Sequence, residues 1–259
     1  YMEAFNQPNA LIELEEGNYA NTGFTQWGAS GLAVAWAEEN TRESIFKAFK
    51  RKETFATTGT RIALRFFAGY DLQTIDLDSD NLVTQAYSKA VTMGSDLMHD
   101  ENKSPDFLVW AQRDKNGAAL QRVQIVKGWI DMGSGTPYEK VFDVACSDGM
   151  NVDPETNRCP DNGARVNIND CSISQDVGAA ELKSYWNDPE FDPNVKSFYY
   201  VRVLENPSCR WSTWDAVKAG FKPREDIHDT IQERAWSSPI WYIPAVNEYS
   251  VIPLGGTVA

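Results

Sequence analysis

Gly31-Leu32-Ala33-Val34-Ala35-Trp36-Ala37, followed by Glu38-Glu39-Asn40-Thr41-Arg42-Glu43, is the stretch on which the fold turns. Its apolar run reads as a buried strand, and Asn40 with Glu43 three residues on is an N-cap pattern. The pattern predicts a helix over residues 41–52. Ile45, Ala48 and Phe49 recur on one side of it, leaving Lys47, Lys50, Arg51 and Lys52 to water and to the C-terminal end of the helix dipole. A strand running into an amphipathic helix is a βα unit. One such unit cannot bury its own strand, so a parallel sheet or barrel is expected, with its other units upstream of Tyr1.

Working outward, residues 1–28 are polar and irregular and read as a loop that leans on another segment. Together with the opening Tyr1-Met2-Glu3-Ala4-Phe5, which has no basic and apolar leader pattern, this suggests a fragment or processed product of a longer polypeptide. Downstream, Thr57-Thr58-Gly59 makes a turn, and Arg61-Ile62-Ala63-Leu64-Arg65-Phe66-Phe67 alternates like a strand. Short β-type runs follow at 72–76, 86–93, 107–113, 120–130, 140–145, 198–204 and 240–243, separated by Gly, Pro, Asn and Asp. Many short strands with polar turns predict a β-sandwich of Ig-like size. Short helices are expected over 215–219 and 223–234. The fold class expected is α+β: the end of a barrel over residues 1–67, its last βα unit, then a mostly antiparallel sandwich over residues 68–259 with a disulfide-held loop. No Pro-, Gly- or Ser-rich linker separates the two, so they should pack together, with Trp36, Phe46, Phe49, Phe55, Phe66 and Phe67 near the junction.

Composition narrows the function. The 259 residues carry a formal charge of −13, with scattered basic residues, which argues against a nucleic-acid partner. The longest apolar run, Leu32 to Ala37, is far shorter than the roughly 20 residues of a membrane span. There are 2 histidines, His99 and His228, both in polar surroundings without H-x-H, H-E-x-x-H or D-x-H around them, so no self-contained imidazole-rich metal centre is expected. G-x-S-x-G is absent, and both histidines read as surface residues. No catalytic residue and no metal ligand is assigned.

The 4 cysteines, Cys146, Cys159, Cys171 and Cys209, lack the C-x-x-C pairs of a zinc ribbon and predict two disulfides. Of the three pairings, Cys146 with Cys159 and Cys171 with Cys209 is favoured. Disulfides imply a periplasmic or secreted protein. The loop over 146–171 carries Asp148, Asn151, Asp153, Asp161, Asn162, Asn167, Asn169 and Asp170, hard oxygen donors of the kind calcium takes, and equally the residues that polar turns use. Thr57-Thr58-Gly59-Thr60-Arg61 is the candidate for substrate contact, because Thr58 and Arg61 could offer a hydroxyl and a guanidinium to an oxyanion; a hydrogen-bonded turn with a structural Arg is the alternative. Glu38 and Glu39 either reach a site at the end of the strand or support the start of the helix. The aromatics of Arg234-Ala235-Trp236-Ser237-Ser238-Pro239-Ile240-Trp241-Tyr242 read as core packing.

Residues 31–43, the run 51–62 continuing through Arg65-Phe66-Phe67, Pro105-Asp106-Phe107-Leu108-Val109-Trp110-Ala111, residues 199–207 with Cys209-Arg210-Trp211-Ser212, and Gln232 through Ile240 together closely resemble the DUF3604 family. The likeness covers roughly residues 29–243. That family is similar to PHP-type metal-dependent hydrolases, whose barrels hold their metals in G-D-x-H-x-H-T and D-x-H segments. Neither segment occurs here. The resemblance therefore implies the C-terminal part of such an enzyme: the last βα unit of a PHP-type (β/α) barrel, then an accessory sandwich. It implies a divalent metal (zinc, manganese or iron) held only in the full-length protein, a small-molecule ester or phosphoester as substrate, and the missing N-terminal part as partner. A metal-bound hydroxide made upstream would attack the ester, with Thr58, Arg61 and Glu39 as substrate-binding residues. A noncatalytic binding or assembly module is the reading from a different class.

Overall fold

The computed structural model describes residues 11–14, 17–20, 28, 30–101 and 103–245. Most of the segment expected to be irregular lies outside them; the part within forms a hairpin, β1 (Leu11–Leu14) against β2 (Gly17–Ala20). The rest is built on two packed sheets. The larger runs in the order β10 (Pro137–Cys146), β9 (Leu120–Ile130), β14 (Ser197–Glu205), β17 (Arg234–Ser237), β4 (Thr54–Thr57) and β3 (Leu32–Ala35). Off that path, β18 (Ile240–Ile243) pairs with β14 and, in parallel, with β7 (Asp96–Met98). The smaller sheet runs β13 (Glu181–Asn187), β8 (Asp106–Gln112), β5 (Ala63–Gly69), β6 (Ala90–Thr92), all antiparallel, and two short pairs stand apart, β11 (Val166–Asn167) with β12 (Ser172–Ile173) and β15 (Ser208–Cys209) with β16 (Thr230–Ile231).

Alternation explains which side chains meet between the sheets. In β14, Tyr199, Val201 and Val203 are buried while Phe198, Tyr200 and Arg202 on the other face are half-buried. They pack on Phe66 of β5 and Phe107 and Val109 of β8, with the Phe107 ring 4.4 Å from that of Tyr199 and 5.8 Å from that of Phe66. The opposite face of β5 and β8 is covered too. There Phe67 and Leu108 form a second, smaller core with Leu72 and Ile75 and with Leu82 and Ala86 of helix α2 (Leu82–Lys89). Strand β8 is therefore buried on both faces over most of its length, which is why its sequence is an almost unbroken apolar run.

The expected barrel remnant is absent: among the described residues the strands are mostly antiparallel, few helices accompany them, and no barrel closes. Strand β3 and helix α1 (Arg42–Arg51) exist, but β3 returns through the helix to pair antiparallel with β4, from Leu32 against Thr57 to Ala35 against Thr54. The cause is local. Lys52 takes the left-handed conformation at φ 57°, closing the helix through hydrogen bonds to Ala48 and Phe49 carbonyls and turning the chain back beside the strand it left. Gly94, at φ 87°, fits under this turn; a Cβ there would lie 2.2 Å from the Lys52 carbonyl oxygen. Nor is β3 a buried strand: Leu32 and Ala33 are exposed at the end of the sheet. Thr41 rather than Asn40 caps the helix, its hydroxyl accepting from the Ser44 N–H at 3.2 Å.

Other expectations shift for similar reasons. Residues 72–74 form a 3-10 turn entered through left-handed Asp71, and residues 86–89 belong to α2, whose Leu82 and Ala86 share a helix face. Helix α3 (Trp211–Ala219) includes the stretch read as 215–219, whereas the helix expected over 223–234 is replaced by turns, the two-residue strand β16 (Thr230–Ile231) and the start of β17. Disulfides join Cys146 to Cys159 and Cys171 to Cys209, each with Cα atoms 5.6 Å apart. Asp143 anchors the base of the insertion. Its buried carboxylate accepts from Arg122 at 3.0 Å, Gln124 at 2.7 Å, Arg158 at 3.3 Å and the Cys159 N–H at 2.7 Å.

Candidate functional site

A groove of about 460 Å³ opens where the end of β3, the end of α1 and the smaller sheet come together, lined by Trp36, Ala37, Glu38, Arg51, Glu53, Arg65, Tyr87 and Thr92. The helix end supplies Arg51, and the Lys52 reversal places Glu53 at the mouth of β4. Trp36 is held twice: its backbone N–H donates to the Glu53 carbonyl at 3.0 Å and its indole N–H to the Leu64 carbonyl at 2.8 Å. The second bond ties the end of β3 to β5 in the other sheet, so the groove wall is rigid where the two sheets meet.

Glu53, 3% exposed, is the hub. Arg51 Nη2 reaches its Oε2 at 3.1 Å, and Thr92 Oγ1 and the Tyr87 hydroxyl both donate to its Oε1. Arg65 Nη1 in turn donates to the Tyr87 oxygen at 3.0 Å. Burial, reinforced by the hydrogen bond to Glu53 and its charge, pushes the Tyr87 phenol up to about 12, so it stays a neutral relay between guanidinium and carboxylate. The Arg65 guanidinium carbon sits 3.7 Å above the Trp36 ring and 5.8 Å from the Tyr87 ring. Unlike Arg51, it has no carboxylate partner among the described residues. A desolvated carboxylate, a paired guanidinium and a stacked, unpaired guanidinium thus share one wall, an arrangement suited to holding a ligand.

The residues singled out from sequence lie elsewhere, with one exception. Glu38 lines the groove; Glu39 is exposed, its N–H donating to Ser44 Oγ at 3.1 Å at the start of the helix. Thr58 follows β4 at the end away from Glu53. Its N–H donates to the Arg234 carbonyl at 2.9 Å, its Oγ1 accepts from the Arg234 N–H at 2.9 Å and donates to Glu233, so it joins β4 to β17. Arg61 is exposed, with its backbone N–H bonded to Asp114 at 2.8 Å. The 57–61 turn is bordered by carboxylates, since Glu205 lies beside Thr60 as well. Burial pushes the Glu205 carboxyl up to about 7; the Thr60 hydroxyl and the Ala118 N–H oppose the shift, and the Glu233 and Asp114 charges add to it.

In the cysteine loop the oxygen donors serve the chain itself. Asp153, Asp161 and Asp170 each accept from a backbone N–H two residues on. At Asp148 burial raises the carboxyl, but hydrogen bonds from Ser147, the Gly178 N–H and Asn162 together outweigh it and hold the group below the usual carboxylate range. His228 is exposed, whereas His99 is half-buried, its Nδ1 2.6 Å from the Tyr242 hydroxyl. Of the late aromatics, Tyr242 is buried and Trp241 is 37% exposed. Arg51, Glu53, Arg65, Tyr87 and Thr92 follow no sequence motif; the one signal was a lone acid, Glu53, after four basic residues of the helix end, Lys47, Lys50, Arg51 and Lys52.

No curated protein and no solved structure matches the chain significantly. The family model described as a protein of unknown function, DUF3604, matches residues 2–244, nearly the whole length, and the chain therefore belongs to the DUF3604 family.

Proposed function

We propose that this chain is the accessory β-sandwich of an extracytoplasmic, PHP-like metal-dependent hydrolase acting on small-molecule esters or phosphoesters, with the metal ligands outside the chain. Its own residues do not fit a metal centre: among the described residues no group of three or more His, Cys, Asp or Glu side chains converges on one point. No catalytic step is therefore assigned to them. Two disulfides, and the lack of any helix among the described residues long and apolar enough to cross a membrane, are consistent with a location outside the cytoplasm.

The observation that carries the reading is the apolar face left uncovered beside the groove. Helix α1 buries only Ala48 and exposes Phe46 at 62% and Phe49 at 54%, and the neighbouring β3 exposes Leu32 at 38%. Large apolar side chains grouped on one short segment mark a contact surface. The same segment, residues 32–53, carries the Trp36–Glu53 wall, so a catalytic domain seated on Phe46 and Phe49 borders the groove. The test is to read the coding sequence upstream for H-x-H and D-x-H segments and to assay the longer polypeptide with p-nitrophenyl acetate and p-nitrophenyl phosphate. The expected result is hydrolysis that requires a divalent metal and falls at least tenfold in the Phe46→Ser/Phe49→Ser double variant, whose sandwich keeps its circular dichroism. Missing upstream ligands, or no hydrolysis by the longer polypeptide, would leave the chain a noncatalytic binding or assembly module, whereas full activity in that variant would overturn the seating of the catalytic domain on Phe46 and Phe49.

A further inference from the structure

We propose that the groove beside Trp36 binds a small organic carboxylate and that Arg65 is the residue that grips it. The site lies wholly within this chain, so it stands or falls independently of the hydrolase reading.

Arg65 is a preorganised receptor. A guanidinium carries five N–H donors in a planar fork. Here one donor is spent on the Tyr87 hydroxyl, at 3.0 Å, and the plane is fixed by the Trp36 ring 3.7 Å below it. Four other arginines are neutralised in place by carboxylates, and Arg113, Arg202 and Arg234 spend donors on carbonyl and amide oxygens. Arg51 pairs with Glu53 at 3.1 Å, Arg122 and Arg158 with Asp143 at 3.0 and 3.3 Å, and Arg224 with Asp226 at 2.6 Å. Arg65 meets a phenol instead, and it lines an open groove rather than a packed core. A cation held on aromatic faces with donors to spare gains most from a planar anion that can take two of them at once.

The charge balance of the wall sets the class of anion. Arg51 and Arg65 stand against Glu53 and Glu38, so the groove is close to neutral before a ligand enters. A single negative charge finds one unpaired guanidinium. A dianion such as a phosphate monoester brings a second charge that has no cation of its own and faces two carboxylates. The indole of Trp36 and the ring of Tyr87 supply apolar wall for the body of the ligand, and about 460 Å³ suits a metabolite-sized molecule rather than a polymer.

The experiment uses the 259-residue protein, titrated with sodium benzoate at constant ionic strength and followed by tryptophan fluorescence and by the arginine Nε–H resonances. Saturable binding is expected, with one arginine Nε–H shifting. Arg65→Gln should weaken it at least tenfold. Arg65→Lys, which keeps the charge but not the fork, should weaken it severalfold, and Tyr87→Phe should do so less. Inorganic phosphate at pH 8 should bind at least tenfold more weakly than benzoate. Should Arg65→Gln lose its thermal transition, the Lys and Phe variants carry the comparison. The proposal is overturned by the absence of saturable benzoate binding, by unchanged affinity in Arg65→Lys and Arg65→Gln, or by phosphate binding as tightly as benzoate.

Discussion

Glu205 shows how far one buried side chain can couple stability to pH. It is 1% exposed at the end of β14, and burial raises its carboxyl from an ordinary 4.5 to about 7. The folded protein therefore prefers the protonated acid. Below the unfolded pKa both states hold the proton and nothing is lost; between about 4.5 and about 7 the unfolded chain gives it up first, and stability falls; above that range the loss is constant. The size is roughly 3 kcal/mol at one pKa unit per 1.36 kcal/mol. Glu205→Gln should therefore be more stable than the parent at pH 8 and about equal to it at pH 4, as read by urea midpoints at the two values. Equal midpoint differences at both pH values would show that Glu205 ionises freely in the folded protein. No sequence pattern announces this group, because Glu205 sits in an alternating strand as one more polar residue; its burial comes from Thr60 and Gly117, which are distant in sequence.

At the scale of elements, the two aromatic sets near the start of the chain divide sharply. Phe66 is fully buried between the sheets, while Phe46 on α1 is 62% exposed. Phe66→Ala should cost ~3–5 kcal/mol, as for a cavity in a packed core, and Phe46→Ala should stay within about 0.5 kcal/mol. Guanidinium melts of the two variants test the contrast, and comparable losses would mean that the helix face is covered in solution. Strands β8, β9, β14 and β18 were legible because alternation or continuous apolar character marks them whatever their partners. The parallel unit was not. Leu32-Ala33-Val34-Ala35 is apolar enough for a buried strand, and only the left-handed Lys52, a residue with no intrinsic preference for that conformation, turns the helix exit back into an antiparallel neighbour. The candidate groove was hidden for the same reason. Glu53, Tyr87 and Thr92 are 34 and 39 positions apart, and the reversal at Lys52 is what makes them neighbours.

On the scale of the whole molecule, one disulfide closes a ring with a sequence separation of 13 inside the insertion, and the other a ring of 38 that runs from the end of the insertion through the two strands that follow it. In the chain-entropy account, closing such rings stabilises by about 3 and about 4 kcal/mol respectively, through the unfolded state. Non-reduced, alkylated protein should contain no free thiol by mass spectrometry, and reduction should lower the thermal midpoint by roughly 15–25 °C. Four alkylated cysteines in the non-reduced sample would remove both rings. The larger ring has a mechanical consequence. It encloses β13 and β14, and β14 is the strand to which β9, β17 and β18 are all paired. Tension applied to the two ends of the chain bypasses this strand through the Cys171–Cys209 bond, so the 38 positions it spans contribute no extension. A pulling experiment should find the unravelled molecule shorter by roughly 130 Å than its reduced counterpart on account of this ring alone, with the central strand as slack that the load never reaches.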